Sequence, residues 1–299
     1  DTFGPNATVT GVTQGNHGNV VLNADGTVTY TPGDYYQSLA TGETATDTYT
    51  YTVTTAAGNT ETATVTVTVT GTNDAPTSSA LPAQSDSDAD AINLPLSGYF
   101  SDPDTTDVLT YSATGLPAGL TIDPATGIIT GTIDNSASQS STAGNPDGTY
   151  TIEVTASDGS LTTSQNFNWT VTNPAPTAAD DSGTTGENTT LTVDALTGVI
   201  PNDTDPDGDA LTVTEVAGDT SKVGGAVAGS HGGTFTVNTD GSYTFNPGTA
   251  FDYLAVGESQ TTNVNYTISD GEGGTSTATL EITVTGTNDA PTSSALPAQ

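Results

Sequence analysis

The chain has 299 residues, enough for two to three domains with cores of their own. It carries 35 acidic residues against one basic residue, Lys222, which gives a formal net charge of −34. That balance excludes nucleic acid and membrane contact by this segment, because nothing in the chain neutralises phosphate. Cysteine is absent, which excludes disulfides and thiol chemistry. No apolar run approaches the roughly 18 residues of a membrane span.

Alternating residues predict β-strands from the start of the chain. Residues 48–53 read TYTYTV and residues 62–70 read TATVTVTVT, so Ala63, Val65, Val67 and Val69 face one way and the threonines face the other. A period of two is typical of a half-buried strand. Short strands separated by Gly, Pro, Asn and Asp turns, without helical periodicity, predict an all-β chain of antiparallel sandwiches.

An internal repeat predicts the domain organisation. The sequence GTNDAPTSSALPAQ at residues 71–84 recurs at residues 286–299, a period of 286 − 71 = 215 residues. The same shift aligns residues 23–52 with 238–267. We therefore predict domains at residues 1–72, 73–173 and 174–287, followed by a linker at 288–299 that opens the next repeat. Residues 174–202 have no counterpart before Asp1, so the first domain is expected to be truncated at its N-terminus.

The linkers between these domains are expected to be stiff. They read GTNDAP at residues 71–76 and VTNPAP at residues 171–176. Proline fixes φ and restricts the residue before it, so these joints differ from flexible Gly/Ser linkers.

Specific motifs in the first and third domains resemble the cadherin-like, VCBS-type (tandem-95) repeats of giant bacterial secreted adhesins. The supporting sequences are AADDS at 178–182, PNDTDPDGD at 201–209 and GTNDAP at 286–291. The middle domain resembles the dystroglycan-type cadherin-like (Ig-like) modules through YFSDPD at 99–104 and LPAGLTIDPATGIITGTI at 116–133. The resemblance implies tandem Ig-like and cadherin-like sandwiches in an elongated extracellular array, often stiffened by calcium between domains.

The densest acidic segment predicts a calcium (Ca²⁺) site at the start of the third domain. Carboxylates occupy every second position, at Asp203, Asp205, Asp207 and Asp209. An extended segment would direct them to one side, where they repel one another unless a cation lies among them. Calcium takes six to eight oxygen ligands, whereas soft metals would require cysteine or clustered histidines. The alternative is that Asp-Pro-Asp-Gly is turn chemistry alone, although a turn needs only one or two of these residues.

The loop order of an Ig-like sandwich groups the other acids at three junctions. In that fold the B–C and F–G loops lie at one end and the A–B and E–F loops at the other. The junction between the first and middle domains is predicted to contain Glu43, Asn73, Asp74, Asp102, Asp104, Asp107 and Asp158. The junction between the middle and third domains is predicted to contain Asp86, Asp88, Asp90, Asn173, Asp203, Asp205, Asp207, Asp209 and Asp270, and to hold more than one ion. Glu187, Glu258, Asn288 and Asp289 are predicted to serve the junction with the next unit.

These features together predict a structural function. We expect an extender segment of a secreted, cell-surface bacterial adhesin or filament that mediates adhesion or biofilm cohesion. Its expected partners are neighbouring repeats of the same chain and copies of itself in a fibre, since an incomplete first sandwich leaves an edge that a donated strand could fill. Trp169 is predicted to anchor a core.

Two other classes of function have weaker support in the sequence. The outward threonine rows at residues 48–54 and 62–70 could bind glycan or ice, or carry O-glycans, although threonine is also an ordinary exposed strand residue. An enzyme is not expected. The carboxylate pairs could resemble glycosidase acids, but they fall in junction motifs and have no basic or nucleophilic partner.

Overall fold

The computed structural model describes residues 6–139 and 148–289, and its regular structure is almost entirely β-strand. The all-β prediction is confirmed. Within the described ranges, the helical elements are three short 3₁₀ helices at Asp34–Ser38, Ser97–Tyr99 and Thr220–Lys222.

The contacts between Cα atoms divide the chain into two compact units. The first holds the described residues as far as Gln84, together with Ala91–Gly131 and Tyr150–Trp169. The second holds Ser85–Asp90, the described part of Thr132–Thr149, and the described residues from Thr170 onward.

The first unit begins with five strands in two sheets. They are β1 (Thr8–Val12), β2 (Gly18–Leu22), β3 (Val28–Pro32), β4 (Thr44–Thr54) and β5 (Thr60–Thr70). One sheet has the order β1-β4-β5, and β2 pairs with β3 in the other. The even-numbered threonines of β5 are exposed, and Ala63, Val65, Val67 and Val69 on its other face are half-buried. The predicted alternation along this strand is therefore confirmed.

A buried carboxylate, Asp47, organises the interior of these five strands. It is 2 % exposed. Its oxygens accept hydrogen bonds from the backbone N–H groups of Asn16 (2.8 Å), His17 (3.1 Å) and Thr48 (2.8 Å), and from the Tyr30 hydroxyl (2.9 Å). Burial raises the pKa of Asp47, but these donors outweigh burial and hold the pKa well below its usual range. The carboxylate therefore ties the turn before β2 to β4.

The middle part of the chain adds nine strands. They are β6 (Thr77–Ser78), β7 (Gln84–Ser87), β8 (Ala91–Pro95), β9 (Phe100–Ser101), β10 (Thr110–Thr114), β11 (Leu120–Ile122), β12 (Ile128–Thr132), β13 (Thr149–Ser157) and β14 (Thr162–Thr172). In the first unit they form a β6-β9 pair, a sheet β11-β12-β8, and a sheet in which β13 lies between β10 and β14. Trp169 is 1 % exposed and packs 6.0 Å from the Phe167 ring, which confirms it as a core residue.

The second unit contains the most complete sandwich. Its strands are β15 (Asp181–Gly186), β16 (Leu191–Val193), β17 (Thr212–Val216), β18 (Val227–Ala228), β19 (Thr234–Val237), β20 (Tyr243–Asn246), β21 (Ser259–Ser269) and β22 (Thr275–Thr285). The two sheets have the orders β15-β22-β21-β17 and β16-β20-β19-β18. Between them lies a core that includes Phe235, Phe245, Phe251, Tyr266, Leu280 and Ile282, none of which is exposed.

One pairing in this unit differs from the antiparallel expectation. β15 runs parallel to β22, from Asp181 opposite Leu280 to Gly186 opposite Thr285. A hairpin turn forces its two strands to be antiparallel. No hairpin joins β15 to β22, because the chain passes from β15 into the other sheet before it returns.

Candidate metal centres

The first and third domains form the same hydrogen bonds around one glutamate just before their linkers. Ala40 N–H donates to the Glu43 carboxylate (3.1 Å), and Gly71 N–H donates to the Glu43 carbonyl (2.8 Å). In the third domain, Ala255 N–H donates to the Glu258 carboxylate (3.0 Å) and Gly286 N–H to the Glu258 carbonyl (2.9 Å). The sequence repeat of 215 residues is therefore also a structural repeat at these two positions.

The linker after the first domain contacts the acidic loops of the middle domain directly. Asp74 N–H donates to Asp104 Oδ2 (2.8 Å), and Asn73 Nδ2 donates to Asp158 Oδ2 (2.9 Å). The other oxygen of Asp158 accepts from the N–H groups of Ser160 and Leu161. These N–H groups lower the pKa of Asp158, so its carboxylate is held ionised beside the linker.

Three carboxylates converge at this first joint. Asp102, Asp104 and Asp107 can each offer an oxygen within 4.8 Å of the others. Asp104 is 1 % exposed. One buried oxygen of Asp104 (Oδ1) and one of Asp102 (Oδ2) have no hydrogen-bond partner among the described residues. Burial, followed by the neighbouring carboxylates of Asp104, Asp102, Asp158 and Glu43, raises the pKa of Asp107.

A second group of three carboxylates lies at the start of the third domain, in unit two. Asp205, Asp207 and Asp209 also bring their oxygens within 4.8 Å of one another. The expectation of an extended segment is wrong, because the chain turns here. Asp205 Oδ1 accepts from the N–H groups of Asp207 (3.2 Å), Gly208 (3.1 Å) and Asp209 (3.2 Å). The turn gathers three of the four predicted acids by bending around one of them.

The linker residue at the position of Asp74 differs between the two joints, and the second joint therefore has one backbone N–H fewer. Asp74 donates its N–H to Asp104 at the first joint, but Pro174 takes the corresponding place at the second, and proline has no N–H. Both oxygens of Asp207, the counterpart of Asp104, are buried without a hydrogen-bond partner among the described residues. Burial and the carboxylates of Asp205 and Asp209 raise the pKa of Asp207 to about 7.

Further oxygen ligands surround the second group. Asn173 Nδ2 donates to Asp270 Oδ2 (2.9 Å), which repeats the Asn73–Asp158 contact of the first joint. Asp88 is 3 % exposed, and its Oδ1 accepts from Ser138 N–H (2.9 Å). Burial raises the pKa of Asp209, and so do the negative charges of Asp205, Asp270 and Asp88. These acids therefore act on one another as a single charged cluster.

Two residues of this cluster were missed by sequence reasoning. Burial raises the pKa of Glu272, as do the charges of Asp209, Asp270 and Asp88. Glu272 follows Asp270 by two positions, so the alternation of acids in that loop was a usable signal. Ser138 has a buried hydroxyl oxygen without a partner among the described residues. No sequence signal identifies it, since it lies 50 residues from the Asp88 carboxylate that it faces.

Besides Asp88, Asn173 and Asp270, three further predicted ligands of the second joint lie outside the two groups of three carboxylates. Asp203 Oδ1 accepts from Ala179 N–H (2.8 Å), and its other oxygen is buried without a partner in the described chain. Asp90 is exposed, and its carboxylate closes a turn by accepting from Ser87 N–H (2.7 Å). Asp86 lies half-buried in β7. Of the three alternating acids at 86, 88 and 90, only Asp88 is deeply buried.

Among the described residues, the far end of the third domain holds one buried acid. Glu187 is not exposed at all, and one of its oxygens (Oε1) accepts from the Thr287 N–H (2.5 Å) and hydroxyl (2.8 Å). Its Oε2 has no partner in the described part of the chain. Asp289 accepts weakly from Asn188 Nδ2 (3.4 Å), and Asn288 is exposed. This end resembles half of a joint.

A hard cation fits the donors at the first two joints. Buried carboxylate oxygens without hydrogen bonds are costly unless a positive charge compensates them. The unpartnered oxygens belong to Asp102 and Asp104 at the first joint, and to Asp88, Asp205, Asp207 and Asp209 at the second. All are oxygen donors, which suits calcium and not a thiophilic metal. Lys222, the one basic residue, pairs with Asp219 at 4.0 Å and compensates none of them.

Family models match three consecutive parts of the chain. Residues 1–68 match the bacterial Ig domain, residues 75–172 match the model described as "Putative Ig domain", and residues 173–286 match the bacterial cadherin-like domain. The chain carries bacterial cadherin-like and Ig-like domains in tandem. The predicted resemblance is therefore confirmed, and these matches support an adhesive or structural role outside the cell.

Solved structures with a similar chain course include cadherins and an enzyme. The EC3–6 fragment of protocadherin gammaB7 is 12 % identical, with a TM-score of 0.39, and 93 % of this chain covers 66 % of that chain. Mouse cadherin-23 EC22–24 is 14 % identical, with a TM-score of 0.37, and the match covers 94 % of this chain and 86 % of that chain. An endo-fucoidan hydrolase of glycoside hydrolase family 107 is 20 % identical, with a TM-score of 0.31, and this chain spans 39 % of its length. No curated protein matches the sequence. Among the described residues, no helix is long and apolar enough to cross a membrane.

Proposed function

We propose that this segment is a calcium-stiffened structural extender of a larger extracellular bacterial adhesin or surface filament, where it supports adhesion or biofilm cohesion. One observation carries the proposal. At two domain joints, buried carboxylate oxygens face one another without hydrogen-bond donors in the described chain. A joint of this kind is unfavourable as it stands and becomes favourable when a divalent cation is bound.

Each joint has a defined set of residues for the ion. At the first, Asp102, Asp104 and Asp107 would supply oxygens, and Asp74 from the linker would join them. At the second, the ligands would be Asp205, Asp207 and Asp209, together with Asp88 and Asp270. Calcium, when bound, supplies the positive charge that lets the linker and the loops share one site. The protein side holds the linker in place by the Asn73–Asp158 and Asn173–Asp270 hydrogen bonds.

The two joints are expected to differ in affinity. Pro174 removes the one backbone donor that partly satisfies the equivalent acid at the first joint. The second joint therefore has more uncompensated charge, which raises its need for a cation. We expect it to bind calcium more tightly than the first joint and to hold more than one ion.

Small-angle scattering on the whole chain tests this function. Calcium should give a scattering profile with well-defined dimensions, and chelator should give a flexible particle with a lower melting temperature. Ions that bind only the folded joint add RT ln(1 + [L]/Kd) to the free energy of unfolding. Magnesium at the same ionic strength is the control, since it prefers small octahedral sites and retains its water. Identical profiles and melting temperatures in calcium and chelator would rule the function out.

An enzymatic role is not part of the proposal. The acids that could resemble glycosidase residues lie in loops at the joints. Their unpartnered oxygens favour a role as cation ligands over a role as catalytic acids. Assay of fucoidan and other polysaccharides for new reducing ends would test this expectation directly.

A regular threonine surface favours a second candidate function, recognition of ice or glycan. The outward cross-strand pairs of β4 and β5 are all Thr–Thr, from Thr44 opposite Thr70 to Thr54 opposite Thr60. Their spacing is about 6.8 Å along a strand and about 4.8 Å between strands. The third domain interrupts the same rows, with Asn263 opposite Glu281. Ice-affinity and glycan-array measurements should lose any signal in Thr66→Lys but keep it in Thr277→Lys, which changes the third domain.

A further inference from the structure

The first and last strands of the third domain lie side by side and run in the same direction. β15 pairs with β22 in parallel, from Asp181 opposite Leu280 to Gly186 opposite Thr285, which makes six consecutive pairs. β15 is the edge strand of its sheet. The linker at residues 171–176 precedes β15, and the repeated GTNDAP sequence follows β22 directly. Tension along the chain therefore reaches this ladder through both of its strands.

The parallel direction decides how tension loads the hydrogen bonds of the ladder. The beginning of β15 is pulled one way and the end of β22 the opposite way, so the two strands are forced to slide past each other. All bonds of the ladder then carry the load together. The antiparallel hairpin of β21 and β22 offers the contrast, because pulling at its open end, where Ser259 lies opposite Thr285, breaks one pair at a time.

Side-chain hydrogen bonds extend the ladder at its first end. Asp180 Oδ1 accepts from Thr279 N–H (2.8 Å), and Ser276 Oγ accepts from Ala178 N–H (3.0 Å). The partners of these bonds are 99 and 98 positions apart in the sequence. Both bonds thus connect the first segment of the domain to the last, and both must break before the two segments separate.

Glu187 fastens the other end of the ladder. Its N–H donates to the Thr285 carbonyl (2.9 Å), and its Oε1 accepts from the N–H (2.5 Å) and the hydroxyl (2.8 Å) of Thr287. Glu187 is fully buried, as are Leu280 and Ile282 on the inner face of β22. A hydrogen bond is electrostatically stronger in such surroundings than in water. The inner side of the ladder is therefore shielded from the solvent that would compete for its bonds.

We propose that β15 and β22, with their extensions at residues 178–187 and 276–287, form a shear clamp that lets the third domain bear tension along the chain. The proposal rests on the proposed extender role for the direction of the load, but the clamp lies inside one domain and its bonds need no ion. Its rupture releases Asp181 to Thr285, which is 285 − 181 + 1 = 105 residues. At roughly 3.3–3.6 Å per extended residue, and after subtraction of the roughly 2 nm that six paired residues already span, the chain should lengthen by about 33–36 nm.

The register shows which residues of β15 hold the clamp. Thr185 lies opposite Val284, and its carbonyl accepts from the Thr285 hydroxyl (3.1 Å). Glu187, two residues further on, donates its N–H to the Thr285 carbonyl. Alternate residues of a strand direct their backbone groups to the same side, so the Thr185 N–H faces β22 and the Thr184 N–H faces the free edge. Proline at position 185 therefore removes a bond of the ladder, and proline at position 184 removes none.

Single-molecule force spectroscopy on the whole chain, held at its two ends, tests the clamp. Under constant force, we expect an unfolding step of about 33–36 nm. Thr185→Pro should raise the unfolding rate of this step about 2- to 10-fold, as loss of one hydrogen bond predicts. Thr184→Pro is the matched control and should leave the rate unchanged. An unaltered step length in both variants shows that the domain has folded.

A double-cysteine variant assigns the step to the third domain. Ser182 and Glu281 are exposed and lie opposite each other on β15 and β22, and the chain has no cysteine of its own. In Ser182→Cys/Glu281→Cys, a disulfide carries the load past the residues between them. The step should vanish in the oxidised protein and return on reduction. Because both measurements use the same protein, misfolding cannot explain the difference.

A second loading direction separates shear resistance from stability alone. Handles on the reduced cysteines of Ser259→Cys/Thr285→Cys pull β21 and β22 apart from the open end of their hairpin. At equal force, unfolding should be at least about tenfold faster than under end loading, because single pairs resist in turn and not the whole ladder. A domain that is stable without a clamp would show equal lifetimes in both directions.

Three results would overturn the proposal. The first is equal lifetimes under the two loading directions. The second is equal unfolding rates for Thr185→Pro and Thr184→Pro. The third is a step of unchanged length and lifetime after oxidation of the Ser182→Cys/Glu281→Cys variant, which would place the step in another domain. Scattering that does not respond to calcium would refute the calcium-stiffened extender and leave these lifetimes unchanged, so the two failures are distinguishable.

Discussion

The substitution Asp207→Asn should stabilise the protein in chelator and weaken its stabilisation by calcium. Asp207 has two buried oxygens without partners in the described chain, and its neighbours Asp205 and Asp209 are also acidic. In chelator, asparagine removes one of three adjacent charges. Its amide group can also donate to the unpartnered oxygen of Asp205. In calcium, the same change removes a charged ligand.

The structure sets the size of each effect. An unsatisfied buried polar group costs about 1–3 kcal/mol, so we expect Asp207→Asn to be more stable than the parent by that amount in chelator. Loss of a carboxylate ligand should weaken calcium binding at least tenfold, and each factor of ten is worth about 1.4 kcal/mol. In chelator the variant should therefore melt above the parent, and the stability that saturating calcium adds should be at least about 1.4 kcal/mol smaller for the variant than for the parent.

Differential scanning calorimetry at pH 7.5 measures both effects, because it separates the transitions of different domains. Glu281→Gln is the matched control. It removes the same charge from an exposed position on β22, and it should leave both melting temperatures and the calcium response unchanged. If calcium raised the melting temperature of Asp207→Asn as much as that of the parent, the reasoning about the second joint would be refuted. The same holds if the variant gained no stability in chelator.

Three more outcomes follow from the packing and the titration of named groups. In chelator, the stability of the third domain should fall as pH rises from about 4 to about 7, because the pKa of Asp207 is about 7 when folded and about 3.9 when unfolded, so the folded state holds the extra proton. Saturating calcium should reduce this slope in urea titrations to the part contributed by Asp181, whose pKa burial raises to about 6, and a slope of the opposite sign in chelator would contradict the prediction. Gly274→Ala should destabilise the second joint by about 1–3 kcal/mol in thermal melting, because its Cβ would overlap the Asp270 carboxylate and lie 2.9 Å from Ala175 and Pro176 of the linker. Gly11→Ala is the control and should leave the melting temperature unchanged, because a Cβ there would meet nothing within 4 Å. Asp47→Ala should lower the free energy of unfolding by at least about 3 kcal/mol, because it leaves four donors unsatisfied at about 1–3 kcal/mol each when buried. Thr46→Ala at an exposed position should change it by no more than about 0.5 kcal/mol, and equal urea midpoints for these two variants would disprove the role of the carboxylate.

Much of the candidate site could be predicted from the sequence because acids in loops follow the strand pattern. Alternation along β5 and the turn residues around it locate strands and loops. The loop order of a sandwich then brings Asp102 and Asp104 to the end where Asn73 arrives. The structure places these residues together through the Asp74–Asp104 contact. Their assignment as calcium ligands stays a prediction.

Other parts of the site could not be read from the chain. The turn around Asp205 separates Asp203 from the other three acids, and alternation alone cannot reveal where an extended segment bends. Ser138 reaches Asp88 across 50 residues, a contact that depends on how loops pack and not on local pattern. The parallel pairing of β15 with β22 has no hairpin signal at all.

By itself, the sequence of this protein determined its β-strands, its repeat of 215 residues and the acidity of its joints. Those properties follow from local periodicity, exact duplication and composition, none of which requires a fold. Only the tertiary structure decided which carboxylate oxygens lack donors, since that depends on which N–H groups the fold brings to each oxygen, as it brings that of Asp74 to Asp104. It also decided that the inward residues of β5 are half-buried in the described structure where those of β22 are buried. Coverage is a property of strands brought together from distant parts of a chain, and two strands with the same pattern can therefore end in different environments.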